Sequence, residues 1–258
     1  MLSSLGHYFA SFTESLVDDG EMQKAALKLI DQNPLGSAAG FGVSFPLDRE
    51  MTTKELGFAK VQNNSLYCQT SRGKFEAFVI ESLVQTMLTL GRFAQDMIIF
   101  TTQEFDYFSV EDSMTTGSSI MPQKKNLDYM EVLRGEVSRV ISFHSLVCDL
   151  TKNQISGYNK DLKFVKQPVM DSFDSVMGSL TVVKKMLAAI EPKVEVIESK
   201  ISKGMFAADI ANDLVKNEGM PFRDAYKVAM ERLEDAEIDF AENIASKVSP
   251  GAPGNLGL

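Results

Sequence analysis

A run of apolar residues at three- and four-residue steps extends over positions 74–100 and constrains this chain most strongly. Such spacing places the apolar side chains on one face of a helix, whereas a strand would need strict alternation. A helix over these positions is roughly 40 Å long at about 1.5 Å per residue, and helices of this length are typical of bundles and oligomer cores. The residues predicted to face inward are Phe75, Phe78, Val79, Leu83, Met87, Leu90, Phe93, Ala94, Met97 and Ile98.

Similar periodicity predicts three more long helices, over residues 4–30, about 129–149 and about 168–190. Strand-like alternation is scarce, so the predicted fold class is all-α. The residues predicted to face inward on the last two helices are Met130, Leu133, Val137, Val140, Ile141 and His144, then Val169, Phe173, Val176, Leu180, Val183 and Leu187.

The helical pattern shortens after Glu191-Pro192, where the periodic segments cover only 207–217 and 221–234. We therefore expect a long-helix bundle domain over residues 1–192 and a small helical domain over residues 193–258. A long apolar seam on several helices also needs a partner surface, which predicts association of the bundle as a homotetramer.

Composition excludes several classes of function. A formal net charge of −9 argues against general nucleic-acid binding. The longest apolar runs fall short of about 18 residues, so we expect no membrane span. The two cysteines do not form a Cys-x-x-Cys pair, so we expect reduced thiols in a cytoplasmic protein. Cys68 and Cys148 have no metal-ligand spacing, and His7 and His144 have no neighbouring ligands, so we expect no zinc site.

The densest group of reactive side chains lies in the loop Gly117-Ser118-Ser119-Ile120-Met121-Pro122-Gln123-Lys124-Lys125-Asn126. Glycine gives backbone freedom, proline stiffens the turn, and the lysines and amides donate to anions. A serine hydroxyl is a poor base unless cations or oriented N–H groups stabilise its alkoxide. From the residues alone this is an anion-binding loop, with a solvated loop without chemistry as the alternative.

The same ten residues resemble the signature loop of the fumarase/aspartase superfamily, and Pro122-Gln123-Lys124-Lys125 is similar to its argininosuccinate lyase version. Ten contiguous matches are far more specific than a three-residue motif. Five further segments extend the resemblance over essentially the whole chain: Asn33–Ser37, Thr101–Phe105, Glu131–Arg134, Tyr158–Leu162 and Gly219–Ala225.

The resemblance implies a β-elimination that cleaves argininosuccinate to arginine and fumarate without a metal or an organic cofactor. Carried over by position, Ser118 is the base that removes the proton from Cβ. Lys124 and Asn126 then stabilise the carbanion, whose charge spreads into a carboxylate. Glu131 matches the acid that orients a catalytic histidine. The alternative for Glu131 is a favourable interaction with the helix dipole alone.

The resemblance also implies a set of substrate-binding residues: Ser119, Gln123, Asn126, Tyr158, Lys163 and Lys166. The ordinary alternatives are a half-buried core residue for Tyr158 and a solvated side chain for Lys166. His7 and His144 are both outside the family's catalytic-histidine context, and His144 is more typical of a packed helix face.

Three positions depart from the family pattern. Leu127 replaces a proline, Lys163 replaces a glutamine, and Gly73 replaces an acidic residue found in many members. A lysine only donates and adds a charge, so a second cation near a guanidinium is unfavourable. The resemblance therefore carries over least well to recognition of the substrate's arginine-derived end.

Two family segments have no counterpart in the sequence, namely a Ser-Ser-Arg-Asn-Asp pattern and the His-Thr-His segment that supplies the catalytic histidine. We therefore interpret the chain as a C-terminal portion of an argininosuccinate lyase that is inactive alone. Family active sites draw segments from three subunits, and a separate N-terminal chain is the partner expected in a split lyase. A non-catalytic helical scaffold, and a lyase acting on adenylosuccinate or aspartate, are the remaining alternatives.

Overall fold

Long helices dominate the computed structural model, which describes residues 1–257, and the predicted all-α fold class is confirmed. In chain order the elements are α1 (Leu5–Ile30), α2 (Arg49–Leu56), α3 (Ser65–Thr70), α4 (Lys74–Phe100), β1 (Phe108–Val110), α5 (Asp128–Thr151), α6 (Lys166–Ala189), β2 (Ile190–Pro192), α7 (Val194–Ser199), α8 (Ala207–Glu218), α9 (Phe222–Arg232) and α10 (Phe240–Ala245). The strands β1 and β2 pair in a two-stranded sheet. No helix of residues 1–257 combines the length and apolar character needed to cross a membrane.

The chain divides into two compact units. The larger unit holds residues 15–105 and 110–191, and the smaller holds residues 1–14, 106–109 and 192–258. The domain boundary that the sequence predicts at residue 192 stays a prediction.

The larger unit is built on three long helices, and α4 and α5 run antiparallel. Gln95 near the end of α4 accepts a hydrogen bond from Arg134 near the start of α5. Glu81, earlier on α4, lies 3.5 Å from His144, later on α5. The interface between α4, α5 and α6 is closely packed, and side chains such as Met87, Met97, Met130, Val140 and Met186 are fully buried in it.

The predicted apolar seams are buried only in part. Phe78 on α4 and Ile141 on α5 are exposed, as are Phe173 and Leu187 on α6, so their predicted inward positions are wrong for the single chain. Each long helix carries apolar residues around more than one face, and a three-helix core covers only one of them. The spacing of apolar residues indicates the width of a helix's apolar face, but it does not indicate which other helix packs against each part of that face.

A polar network joins α1 to α4 within the larger unit. Thr89 donates a hydrogen bond of 2.8 Å to the Asp19 carboxylate, and the Thr89 and Ser15 hydroxyls are 2.9 Å apart. Gln23 adds a hydrogen bond of 2.9 Å to Thr86. Burial raises the pKa of Asp19, the Thr89 hydrogen bond lowers it in part, and the negative charge of Asp18 raises it further.

The smaller unit has its own core. Helices α8 and α9 pack through small residues and one leucine: Ala211, Leu214, Ala225 and Ala229. Phe206 and Phe240 stack with ring centroids 5.8 Å apart. The nearly buried ion pair between Lys247 and Asp209, at 3.5 Å, lies beside this core.

Gly73 lies where the backbone before α4 passes closest to the end of α5. Its φ of +82° favours glycine, and a Cβ atom there would lie 1.8 Å from the Thr151 side chain and 3.2 Å from Leu162. This contact explains why no acidic residue stands at position 73, because a side chain of any size would displace Thr151.

We expect Gly73→Ala to lower the free energy of unfolding by about 2–5 kcal/mol, since it combines a left-handed backbone with overpacking. Gly135→Ala is the matched control, because Gly135 is exposed on α5 and nothing lies within 4 Å of its Cβ position. The control should stabilise the chain by about 0.5–1 kcal/mol. Urea unfolding measures both, and equal midpoints for the two variants would contradict the close approach at Gly73.

The raised pKa of Asp19 also has a consequence for stability. Between its unfolded and folded pKa values the folded chain holds a proton that the unfolded chain has lost, so stability falls as pH rises through this window. Asp19→Asn should remove this fall and leave the variant more stable than the unsubstituted chain at neutral pH. Urea unfolding across the acidic range measures the difference, with Asp213→Asn on α8 as an exposed control. A pH dependence unchanged by Asp19→Asn would refute the assignment.

Candidate functional site

The predicted signature loop is closed at its base by backbone pairing. The Thr116 amide donates to the Asn126 carbonyl at 3.0 Å, and the Asn126 amide donates back to Thr116 at 2.9 Å. Residues 117–125 therefore project as one loop directly before α5. Asn126 is half-buried, whereas Ser119 and Gln123 are exposed on the loop.

The Ser118 hydroxyl faces the backbone of its own loop. Its oxygen accepts hydrogen bonds from the amides of Met121, at 3.1 Å, and Ile120, at 3.3 Å. Bonds of this kind are common local turns. They also direct two N–H dipoles at the hydroxyl oxygen, and an alkoxide there would be stabilised by both.

The structure distinguishes the two loop lysines. Lys125 forms an ion pair with Asp112, in the short 3₁₀ turn Asp112–Met114. Lys124 is exposed, and no ion pair of its ammonium group occurs within residues 1–257. Asp112 therefore compensates the charge of Lys125. The charge of Lys124 is not compensated and is accessible to an anion from solvent.

The start of α5 holds the loop in place. Thr116 donates a hydrogen bond of 2.5 Å to the Asp128 carboxylate, and the Leu127 carbonyl accepts from the amides of Met130 and Glu131. Glu131 is exposed in the first turn of α5, where a carboxylate is favoured by the helix dipole.

The remaining predicted residues lie at the other end of the bundle. Tyr158 is 60% exposed, and the Arg72 guanidinium carbon lies 5.2 Å from the centre of its ring. Lys163 is in the 3₁₀ turn Lys160–Val165 with its ammonium 5.4 Å from the Phe164 ring centre. Lys166 is exposed at the first position of α6.

The structure thus divides the predicted site residues into two groups. The loop group precedes α5 and comprises Ser118, Ser119, Gln123, Lys124, Asn126 and Glu131. The second group follows α5 and comprises Tyr158, Lys163 and Lys166. Helix α5 has 24 residues, so about 36 Å separates its two ends. One chain does not bring the two groups together.

Neither histidine lies in the loop group. His7 is at the start of α1, within 2.9 Å of the Ser3 hydroxyl. His144 is half-buried on α5, with one ring nitrogen 3.5 Å from Glu81 and 3.6 Å from Cys148. Among residues 1–257 no cluster of three or more histidine, cysteine or acidic side chains has the geometry to hold a metal ion.

Two supports of the loop were missed by sequence reasoning. Asp112 neutralises Lys125, and Asp128 fixes the loop stem through Thr116. An acidic residue at the first position of a predicted helix is a signal that would have identified Asp128. Asp112 lies thirteen residues before its partner on irregular backbone, and no sequence pattern connects them.

Comparison with curated proteins gives the family. Argininosuccinate lyase of Xanthomonas campestris pv. campestris is 38% identical over 260 residues, and the match covers 100% of this chain and 60% of that protein. Argininosuccinate lyase of Stenotrophomonas maltophilia is 37% identical with the same coverage. The chain therefore spans about three fifths of the length of the curated relatives it matches.

Solved structures show the same fold. An EDDS lyase in complex with formate matches with a TM-score of 0.85 at 19% identity, over 98% of this chain and 57% of that one. A class II fumarase from Schistosoma mansoni matches with a TM-score of 0.76 at 16% identity, over 95% of this chain and 55% of that one. Likeness at these identities concerns the helical architecture.

A family described as lyases matches residues 3–142, a segment that includes α4, the whole signature loop and the first part of α5. Together with the similarity to argininosuccinate lyases along the full chain, this confirms the resemblance drawn from the loop sequence. The chain belongs to this lyase family.

Proposed function

We propose that this chain is a portion of an argininosuccinate lyase that carries the proton-abstracting and anion-stabilising half of the site. The reaction is a β-elimination that releases fumarate and arginine, in the context of arginine biosynthesis. The observation that carries the proposal is the closed loop before α5, with a serine under two amide donors and an uncompensated lysine six residues later.

Ser118 has the role of base in this proposal. The amides of Ile120 and Met121 lower the cost of removing its proton, and Lys124 adds a positive charge on the same loop. The substrate loses a proton from the carbon next to a carboxylate. Its charge then spreads into that carboxylate, where Lys124 and Asn126 stabilise it.

A complete site in this proposal needs a second copy of the chain. Because about 36 Å of α5 separates the loop from Tyr158, a substrate that contacts both must lie between chains. The exposed apolar side chains of α4, α5 and α6, such as Phe78, Ile141 and Phe173, give the long helices the surface that such an assembly needs. A homotetramer is the assembly we propose.

The proton for the departing nitrogen is proposed to come from another polypeptide segment. Helix α5 places His144 sixteen residues beyond Asp128, about 24 Å from the loop, and His7 lies in α1. Glu131, beside the loop, is available to orient a histidine supplied from outside. Loss of a general acid typically costs on the order of 10² to 10⁴ in rate, so the chain alone should be nearly inactive.

The test is reconstitution of activity. The chain is mixed with the part of the Xanthomonas campestris enzyme that it does not match, and fumarate release from argininosuccinate is followed by ultraviolet absorbance. We expect at least about a hundredfold increase over the chain alone, since the general acid is restored. Ser118→Ala and Lys124→Ala in the mixture should each return the rate to the level of the chain alone.

Lys125→Ala is the matched control, because it removes a lysine of the same loop whose charge Asp112 already compensates. It should keep most of the reconstituted rate. A mixture that assembles but releases no fumarate would support a non-catalytic scaffold, and equal losses for the two lysine variants would contradict the separate roles assigned to them.

A further inference from the structure

A polar cavity of about 260 Å³ opens beside the start of α4 and the end of α5. Its volume is slightly below the usual range for sites that enclose a drug-sized ligand, so it suits a small ion or one end of a larger molecule. Arg72 and Lys74 line it, together with the neutral polar side chains of Gln69, Thr70, Thr151, Gln154, Ser156 and Asn159. No carboxylate is among its lining residues.

The two cations of this cavity have no anionic partner. Within residues 1–257, the Arg72 and Lys74 side chains form neither an ion pair nor a hydrogen bond. Each lies near an aromatic ring instead, Arg72 at 5.2 Å from the Tyr158 ring centre and Lys74 at 5.7 Å from that of Tyr67. These contacts restrict the movement of the two cationic side chains but do not neutralise their charges.

The surrounding segments are also positive, although the whole chain has a net charge of −9. Residues 69–76 and 149–166 contain six cationic side chains and three carboxylates. Of these carboxylates, Asp149 pairs with Lys152 and Glu76 accepts from the Gly73 amide at 2.6 Å, which leaves Asp161. A cleft lined by one sign of charge concentrates ions of the other sign.

The neutral groups of the cavity differ in what they can still donate. The side-chain amides of Gln69, Gln154 and Asn159 and the Thr151 hydroxyl already donate to protein oxygens. The Thr70 and Ser156 hydroxyls have no hydrogen-bond partner within residues 1–257. The lining groups without any hydrogen-bond or ion-pair partner are therefore one guanidinium, one ammonium and two hydroxyls, and the two cations only donate.

We propose that this cavity is a binding site for a small oxyanion, a carboxylate or a phosphate group, held between Arg72 and Lys74. The guanidinium presents two parallel donors that match the oxygens of either group, and Lys74 adds a second charge. The site lies at the opposite end of α5 from the signature loop, and its existence does not depend on the proposed lyase reaction.

If the proposed lyase function holds, the charge of this cavity also affects which chemical group of a substrate can bind at this end of the bundle. A guanidinium would meet the charges of Arg72 and Lys74, so it is unfavourable here. A carboxylate at the end of a substrate remote from the cleaved bond is favourable. The two departures from the family pattern at Lys163 and Gly73 each adjoin a lining residue in sequence, and both make these segments more positive than the family pattern does.

The experiment is calorimetric titration of the chain at low ionic strength with two probes, inorganic phosphate and succinate. We expect binding of at least one probe, weakened tenfold or more in the double variant Arg72→Gln/Lys74→Gln. The matched control is Lys216→Gln/Lys227→Gln, which removes two exposed charges of α8 and α9 and should change the affinity less than twofold. Tighter binding of succinate would identify a carboxylate as the preferred ligand of the cavity, and tighter binding of phosphate would identify a phosphate group.

A second variant tests the site independently, in case the double variant does not fold. Ser156→Glu places a carboxylate at the exposed rim of the cavity and should abolish binding, whereas Ser138→Glu on α5 adds the same charge elsewhere and should not. Absence of binding of both probes to the unsubstituted chain overturns the proposal. Binding that Ser156→Glu and Ser138→Glu weaken equally also overturns it, because the effect is then one of net charge.

Discussion

The antiparallel contact of α4 with α5 determines the position of every candidate functional group. It depends on close approach at Gly73, where only glycine avoids the Thr151 side chain, and at Gly91, where a Cβ would lie 2.8 Å from Val137. Packed interiors tolerate little change in volume, so these two contacts fix how far the helices slide along each other. The loop before α5 and the cavity beside Gly73 are consequently held at opposite ends of the same rigid pair.

Much of this architecture follows from periodicity. The apolar steps predict α4 over residues 74–100, which are also its bounds in the structure, and the other long helices agree within two residues. Periodicity predicts the buried face of each helix less well than its bounds. Phe78 and Phe173 are exposed, although their spacing places them on apolar stripes. A single sequence records that a side chain is apolar, while its burial depends on neighbours that the sequence does not specify.

The candidate site, like the fold, could be predicted from the sequence only in part. The prediction of an anion-binding loop follows directly from its glycine, proline, lysine and amide residues. The compensation of Lys125 by Asp112 could not, because it depends on how an irregular segment folds back on the loop. Nor could the glycine at position 73 be understood from sequence, where it reads as the loss of an acidic partner. In the structure it is a steric requirement imposed by Thr151.

The separation of the two residue groups by the length of α5 has an evolutionary consequence. Within one chain, a substitution near Tyr158 or Arg72 should leave the geometry of Ser118 and Lys124 unchanged, since interactions this far apart are usually additive. The signature loop and the segment around Tyr158 can therefore change independently along one rigid scaffold. A bundle of this design can accumulate substitutions at one end while it preserves an inherited loop at the other.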